Sequence, residues 1–341
     1  MQPNQMQRVK KQHYVPKCYL RSFSSDQSDH LFVYDKTTQK SWNGAISDIA
    51  EEGYFYDLSF PDSLDTETQT FLQDHNVTLK QLKADQTIEK YLANTVENRY
   101  KHLLSSLVSS FRQLSPWVEK NCFFISKKDK EELSYYIAIQ MLRTRALRDS
   151  ILGSADRLQQ VLLDMGVNND VVNNYSLTEK QAGNIQGRML LDEKKTMESA
   201  MLLNHLTWIL YINRTPQLLY TSDSPVARIA HAKHAFLSMA GLSSPGVELS
   251  IPISPQLILI MIEGHYHKLS ASLDRTWQEM KPQNVQHYNA RCIYQSHRFV
   301  FSSNNDFKFL ADLAKNGPQV FMNGMQDVTL WGGKTYRTRK F

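Results

Sequence analysis

The side chains with the clearest chemical potential in this sequence are His13, Gln140, Arg143 and Asp223, which come from distant parts of the chain. Histidine has an unperturbed pKa near neutrality and carries protons readily. The planar guanidinium of arginine binds a phosphate or a carboxylate through paired hydrogen bonds, and a glutamine nearby can orient that ligand. Aspartate can act as a general base or bind a divalent cation. Phosphodiester cleavage needs these groups, so we predict them as catalytic residues.

Two carboxylates, Glu97 and Asp223, are the candidate ligands for Mg²⁺ or Mn²⁺, because these hard cations prefer oxygen donors. Asp223 follows a predicted strand and lies two residues before Pro225, which places it at a strand end that can open into a cleft. Glu89 and Glu97 lie about 80° apart around a helix and can face one site. Asp223 could equally cap a turn, and both glutamates could face solvent.

The opening segment, residues 10–23, contains a histidine, two tyrosines, a proline and an arginine where a chain usually carries expendable polar residues. We expect a buried, fixed segment with a short helix over 16–23, since proline suits a first helical turn. Lys11, Tyr14 and Arg21 flank His13 in sequence and are the candidate substrate-binding residues. The alternative to a functional role for His13 is that of a hydrogen-bonded core residue.

Gln140 and Arg143 point within about 60° of each other on the apolar face of a predicted helix. A guanidinium there must be paired, because an unpaired charge in a protein interior is strongly destabilising. Arg143 is therefore either clamped by Glu89, Glu97 or Asp223, or held ready for an anionic ligand. Both interpretations remain open at this point.

Three long helices are predicted, and the first two carry the glutamates 89 and 97, Gln140 and Arg143. Apolar positions recur at helical spacing over 85–114, and Ser115 and Pro116 end the pattern. A second helix begins after a cap at Ser126 and continues to 165–166. A third covers 178–211 and ends before Pro216. Together they predict a central helical bundle over 85–212.

Strands are predicted on both sides of this bundle. They are a β-hairpin over 31–42 and short strands at 53–57, 217–221, 247–253, 257–262 and 298–301. A further helix is predicted over about 270–290, with a break near Pro282. The pattern predicts an α+β fold in which β segments from both ends of the chain form a mixed or antiparallel sheet. We assign residues 1–341 to a single domain with a motif and hairpin at 1–60, the helical middle, and a β-rich return at 217–341.

The composition favours a globular protein in a reducing compartment. Hydrophobic residues make up 41% of the 341 residues, enough for a core, and no apolar run is long enough to span a membrane. The cysteines number three and are far apart, which excludes a disulfide framework. The net charge of +5 is compatible with RNA or DNA as a partner. We expect a cytoplasmic protein with no membrane partner.

Several motifs give the chain a family resemblance. They are Gln12 to Phe23, which reads Gln-His-Tyr-Val-Pro-x-x-Tyr-Leu-Arg-x-Phe, the glutamates 89 and 97, Gln140-x-x-Arg143-Thr144, residues 221–226, residues 252–255 and Asn289. In these positions the chain resembles the bacterial domain-of-unknown-function family four-two-three-eight. The resemblance implies a shared outline and a set of polar positions, but no reaction. Ser224 stands where the family usually has asparagine, and Arg145 where it often has proline.

Two classes of function fit these observations. The first is a phosphodiesterase or nuclease that acts on nucleic acid, in the setting of a bacterial defence or toxin system. The second is a non-enzymatic binding or scaffold protein, able to engage a protein partner or to form an oligomer, whose polar motif residues form an internal salt-bridge network. The two differ in whether His13, Arg143 and Asp223 line an open pocket or satisfy one another in a closed core.

Overall fold

The fold is that of a computed structural model. It describes residues 8–24, 28–58, 66–74, 78, 86–113, 123–232, 241–317, 325–329 and 335–339. The predicted helix end at Ser115 and Pro116 lies outside these residues. In the described parts of the chain, no helix combines the length and the apolar character needed to cross a bilayer.

Most of the described helices lie in the middle of the chain, as predicted. They are α1 Lys17–Leu20, α2 Thr66–Asp74, α3 Thr87–Tyr91, α4 Glu97–Gln113, α5 Lys127–Leu142, α6 Arg145–Asp164, α7 Asn169–Asn173, α8 Glu179–Leu191, α9 Glu193–His205, α10 Pro282–Gln295 and α11 Lys308–Asn316. A π-helical turn, Leu92–Val96, joins α3 to α4, so the predicted first long helix is present with an irregular centre. Such π turns are rare and are often found at functional sites.

The described strands form two larger sheets and two sheets of two strands each. They are β1 Lys11–His13, β2 His30–Asp35, β3 Lys40–Ala45, β4 Glu51–Gly53, β5 Thr207–Ile212, β6 Thr221–Ser222, β7 Ala227–Ala230, β8 Val247–Ser254, β9 Leu257–Ile262, β10 Thr276–Glu279, β11 Phe299–Ser302, β12 Met325–Thr329 and β13 Thr335–Arg339. The five-stranded sheet has the order β10-β5-β9-β8-β7, and the four-stranded sheet the order β3-β2-β11-β6.

The four-stranded sheet confirms that β segments from the two ends of the chain meet. The N-terminal hairpin β2–β3 pairs through β2 with β11, and β11 pairs on its other side with β6, all antiparallel. The five-stranded sheet is mixed, because its edge strand β10 runs parallel to β5. The α+β prediction is therefore confirmed.

The predicted second helix is wrong as a single element, because the chain breaks between α5 and α6 at Arg143 and Thr144. Thr144 has extended backbone angles, and its hydroxyl accepts a hydrogen bond from the backbone N–H of Leu147. A threonine in this geometry begins a new helix. The chain therefore forms two helices here, although the apolar pattern continues across the break. Ser126 caps α5 as predicted.

The predicted third helix extends too far. It is divided at Asp192 into α8 and α9, and its last residues form strand β5 instead. Strand β5 reads Thr-Trp-Ile-Leu-Tyr-Ile and is hydrogen-bonded to β9 and β10, so its β-branched and aromatic residues pack inside a sheet. The Thr178 cap of α8 is present as a complete capping box.

Three further predictions need correction. Residues 270–281 contain a short 3₁₀ turn and strand β10, and the helix begins at Pro282, where a proline fits a first turn. Residues 53–57 lie mostly in a turn that follows β4. Strand β6 is confined to Thr221 and Ser222, because the preceding residues have no strand partner.

Candidate functional site

Arg143 is the centre of a buried network where α5 ends. Its side chain is almost fully buried, and Nη2 donates to the carbonyl oxygen of His13 at 2.5 Å and to Oε1 of Glu97 at 3.0 Å. Nε lies 3.4 Å from the hydroxyl of Tyr56, which donates to the backbone oxygen of Arg143 at 3.0 Å. The guanidinium thus joins β1, the π-helical region and the segment after β4. Its counter-charge is Glu97.

His13 is held in the same network in a form that does not carry charge near neutrality. Its ring is buried, with Nε2 3.3 Å from the carbonyl oxygen of Ile46. Burial lowers the pKa of His13 to about 4, and the positive charge of Lys17 adds to this effect. The imidazole is therefore neutral at pH 7 and serves here as a hydrogen-bonding core group.

Gln12, the first residue of the opening motif, organises the next part of this network. Its side-chain oxygen accepts from the backbone N–H of Tyr56 at 2.5 Å, and Nε2 donates to Oδ1 of Asp57 at 2.9 Å. Gln86 donates to the same oxygen of Asp57 at 2.9 Å and pairs in both directions with the backbone of Val9. The opening strand is thus anchored by amide side chains as well as by β4.

The three predicted substrate-binding residues occupy different environments. Tyr14 is buried, and its carbonyl oxygen accepts from Nε2 of Gln140 at 3.3 Å. Lys11 is exposed and pairs with Asp48 at 2.5 Å. Arg21 pairs with Asp29 on the surface at 2.8 Å. Contacts of the described residues therefore tie Tyr14 to the end of α5, whereas Lys11 and Arg21 form separate surface pairs.

Asp223 is fully buried at the end of β6 and binds backbone. Its carboxylate accepts from the N–H groups of His297 at 2.8 Å, Arg298 at 2.7 Å and Phe299 at 2.7 Å. These three residues lead into β11, so Asp223 fixes the chain where the two strands meet. Its contacts with the described residues join it to this backbone, while Arg143 is paired with Glu97.

The two carboxylates predicted to bind Mg²⁺ or Mn²⁺, Glu97 and Asp223, have other partners in the described structure. Oε1 of Glu97 accepts a hydrogen bond from Arg143, and both carboxylate oxygens of Asp223 accept hydrogen bonds from backbone N–H groups. Within the described ranges, no three His, Cys, Asp or Glu side chains lie together in a way that could hold a metal ion. Glu97 and Asp223 are therefore held by different groups, and among the described residues they form no cluster with a third such side chain.

A cleft of about 250 Å³ lies beside this network, between the start of α6 and the segments at 224–228 and 294–297. On its wall, Nε2 of His297 lies 2.7 Å from Oδ2 of Asp149. The other ring nitrogen, Nδ1, lies 3.9 Å from Oδ2 of Asp223. Arg145 donates from Nε to the second oxygen of Asp149 at 3.1 Å. The cleft therefore holds a histidine oriented by one carboxylate and close to another.

Gln140 connects the buried network to the cleft. It lines the cleft although its side chain is 1% exposed, and its Nε2 is held by the carbonyl of Tyr14. Its Oε1 is buried without a hydrogen-bond partner among the described residues. A buried amide oxygen that lacks a partner carries a desolvation cost, which a bound donor would remove.

Sequence reasoning missed Asp149 and His297. His297 directly precedes a strand, and Asp149 follows Arg145 at helical i,i+4 spacing, but both signals are common among ordinary surface residues. The two residues are 148 positions apart. The pairing of β11 within the four-stranded sheet and the break before α6 bring them together, and neither the strand order around β11 nor the break was predicted.

A comparison with protein families supports the resemblance noted in the sequence. The model described as Protein of unknown function (DUF4238) matches residues 11–306. These include the opening motif, the break at the end of α5, Asp223 and His297. Searches of the curated proteins and of the solved structures gave no match.

Proposed function

We propose a phosphodiesterase or nuclease activity for this chain, which belongs to the DUF4238 family of proteins of unknown function. The observation that carries the proposal is the hydrogen-bonded pair of Asp149 and His297 on the wall of an open cleft. A histidine oriented by a carboxylate is a common arrangement for general acid–base catalysis. His297 therefore takes the proton-carrying role that the sequence analysis gave to His13.

The hydrogen bond from Nε2–H to Asp149 leaves Nδ1 as the nitrogen that can accept a proton. In the proposed reaction, Nδ1 takes a proton from water while the water oxygen attacks phosphorus. The P–O bond to one nucleoside breaks, and the departing alkoxide receives the proton from the imidazolium. Asp149 and Asp223, at 2.7 Å and 3.9 Å from the two ring nitrogens, stabilise the imidazolium in between.

The cleft also offers groups that suit a phosphate. Arg228 lines it, and its backbone is fixed by two hydrogen bonds with the side chain of Gln295 at 2.7 Å and 2.8 Å. A guanidinium binds phosphate oxygens through paired hydrogen bonds. The unpartnered oxygen of Gln140 can accept a hydrogen bond from the attacking water or from a sugar hydroxyl. In this scheme Asp223 is a positioning residue, because it holds the backbone of His297.

The experiment compares RNA and DNA cleavage by the parent chain, His297→Ala and Asp149→Asn. General acid–base catalysis contributes about 10²- to 10⁴-fold, so His297→Ala should lose at least about a hundredfold in rate. Asp149→Asn should retain the fold and lose rate, because a neutral amide does not stabilise the imidazolium and no longer fixes the tautomer of the imidazole. His102→Ala, which removes an exposed histidine of α4, is the matched control and should cleave like the parent.

Two outcomes would overturn the proposal. One is a parent chain that cleaves neither polymer, and the other is a His297→Ala variant that cleaves at the parent rate. Dependence on Mg²⁺ or Mn²⁺ stays a prediction, and the same assay with EDTA and with each metal restored tests it. A role in bacterial defence or as a toxin also stays a prediction. It is tested by expressing the parent chain in bacteria, which should arrest growth, and by expressing His297→Ala, which should not.

A second candidate function is a non-enzymatic binding or scaffold protein. The observation in its favour is that His13, Glu97 and Arg143 satisfy one another and nearby backbone in a buried network. On this hypothesis the parent chain would bind RNA, DNA or a protein without changing it. Binding that His297→Ala leaves intact, together with the absence of cleavage, would favour this function.

A further inference from the structure

A second cavity, of about 440 Å³, lies on the other side of His297, which lines both this cavity and the cleft. Its floor is one face of the four-stranded sheet. Trp42 is the cross-strand neighbour of Val33, and Val33 is the neighbour of Phe301. Phe299 precedes Phe301 by two residues on the same strand and so shares its face. The floor therefore carries an aromatic row that ends beside His297.

Trp42 is the accessible part of this floor. It is 42% exposed, and its ring meets that of Phe299 edge-on, with centroids 6.1 Å apart. A Cβ added at Gly44 would lie 3.1 Å from Nε1 of Trp42 and 3.0 Å from a methyl group of Ile49, so the glycine leaves room for the indole. A fixed, half-exposed indole offers a flat surface on which a nucleobase can stack.

The lining of this cavity also includes charged residues, both acidic and basic. Glu51 and Glu52 of β4 both line the cavity. Both oxygens of Glu52 lie 3.4 Å from Nη1 of Arg145, so this carboxylate already has a cation. Among the described residues, the ion pair of Glu51 is a long one of 3.9 Å to Nζ of Lys11, which lies closer to Asp48 at 2.5 Å. Glu51 thus retains capacity to accept hydrogen bonds, and its side chain is 18% exposed.

We propose that this second cavity is a nucleobase subsite that selects guanine, with the base stacked on Trp42 and its Watson–Crick edge bound by Glu51. Guanine presents two adjacent donors, N1–H and N2–H, which a carboxylate can accept together. Adenine, cytosine and uracil each place an acceptor beside the donor on that edge, so a carboxylate would meet a lone pair. The phosphate of the same nucleotide would then lie toward His297.

The proposal rests on the proposed function for the nature of the ligand, and it can be tested without catalysis. Guanosine, adenosine, cytidine and uridine 5′-monophosphates contain no phosphodiester bond, so the parent chain can be titrated with each by calorimetry. Guanosine monophosphate should bind at least about tenfold more tightly than the other three, because a paired contact to one base edge discriminates at this level. Equal affinities for the four nucleotides would overturn the proposal.

Two variants assign the selectivity to residues. Glu51→Gln should weaken the binding of guanosine monophosphate and should not weaken that of adenosine monophosphate, since an amide offers one acceptor and one donor, which match the adenine edge and not the two donors of guanine. Trp42→Ala should weaken all four nucleotides alike. Glu198→Gln on the exposed face of α9 is the matched control and should change none of them. Guanine preference that survives in Glu51→Gln would overturn the assignment.

The two proposals fail separately. Guanine-selective binding by a parent chain that cleaves no RNA or DNA would overturn the phosphodiesterase and leave the subsite supported. The opposite result is cleavage that occurs equally after all four bases, is abolished by His297→Ala, and is accompanied by no nucleotide selectivity in binding. That result would overturn the subsite and leave the catalytic proposal supported.

Discussion

Replacement of Arg143 by methionine should destabilise the protein much more than a surface arginine replacement does. Methionine keeps much of the side-chain length but removes the bonds to the carbonyl of His13 and the carboxylate of Glu97. Removing one partner of a buried ion pair costs about 3–5 kcal/mol. We expect about 3 kcal/mol, because the Glu97 side chain is 21% exposed and can regain some hydration. Nη1 of Arg143 has no hydrogen-bond partner in the described structure, so its removal breaks no further hydrogen bond.

The assay is thermal unfolding of the parent and of four variants: Arg143→Met, Glu97→Gln, the double variant and Arg21→Met. For 341 residues, a loss of about 3 kcal/mol corresponds to a fall in Tm of about 4 °C. Arg21 carries the same substitution in the same motif region, but its pair with Asp29 is exposed, so its cost should stay below about 1 kcal/mol.

The double variant tests the identity of the partner. Glu97→Gln removes the charge that Arg143→Met leaves unpaired, so the double variant should be more stable than the sum of the single effects predicts. Asp223→Asn should add independently to Arg143→Met, because Asp223 binds the backbone of 297–299 instead. If Arg143→Met costs no more than Arg21→Met, or if Asp223 and not Glu97 shows the coupling, the reasoning about this network is refuted.

Two further predictions concern His13 and Asp223. Because burial lowers the pKa of His13 from 6.5 to about 4, the unfolded chain binds more protons in that window, so stability is full above pH 6.5 and falls as the pH drops toward 4. Burial raises the pKa of Glu89 to about 6, which makes stability fall as the pH rises and so opposes the effect of His13. Unfolding is therefore compared in a Glu89→Gln background, where His13→Gln should flatten the pH profile of stability. An unchanged profile would contradict this prediction. Asp223→Ala should leave three partly buried N–H groups without their acceptor and cost about 3 kcal/mol in urea unfolding, against little for the exposed Asp29→Ala. Comparable costs would contradict this role.

For Arg143, the sequence predicts that the side chain is buried and needs a partner, but it does not predict which residue the partner is. Helical geometry places it with Gln140 on an apolar face, and the cost of a buried charge requires a partner. Which of Glu89, Glu97 or Asp223 supplies it depends on how α3, α4 and β6 pack against the end of α5. Loop closure and packing between distant segments decide that choice, and neither leaves a local signal in the sequence.

The strand β5 and the break before α6 illustrate competition between local signals. Residues 207–212 follow a helix with no glycine or proline between, so an apolar pattern alone does not separate strand from helix. Hydrogen bonding to β9 and β10 supplies partners that only a sheet can offer. At Thr144 a single capping hydroxyl ended a helix whose apolar pattern continued. The single-domain assignment stays a prediction.

The sequence by itself determined the α+β class, the helical middle, the hairpin at β2–β3, and the family to which the chain belongs, because periodicity, caps and motifs are local properties. Only the tertiary structure decided that Arg143 pairs with Glu97 and that Asp223 binds the backbone of 297–299. It also brought His297 to Asp149 across 148 residues, through sheet pairing that no local pattern encodes. The physical reason is that contacts between distant segments form through the packing of whole elements, and that packing depends on the entire chain.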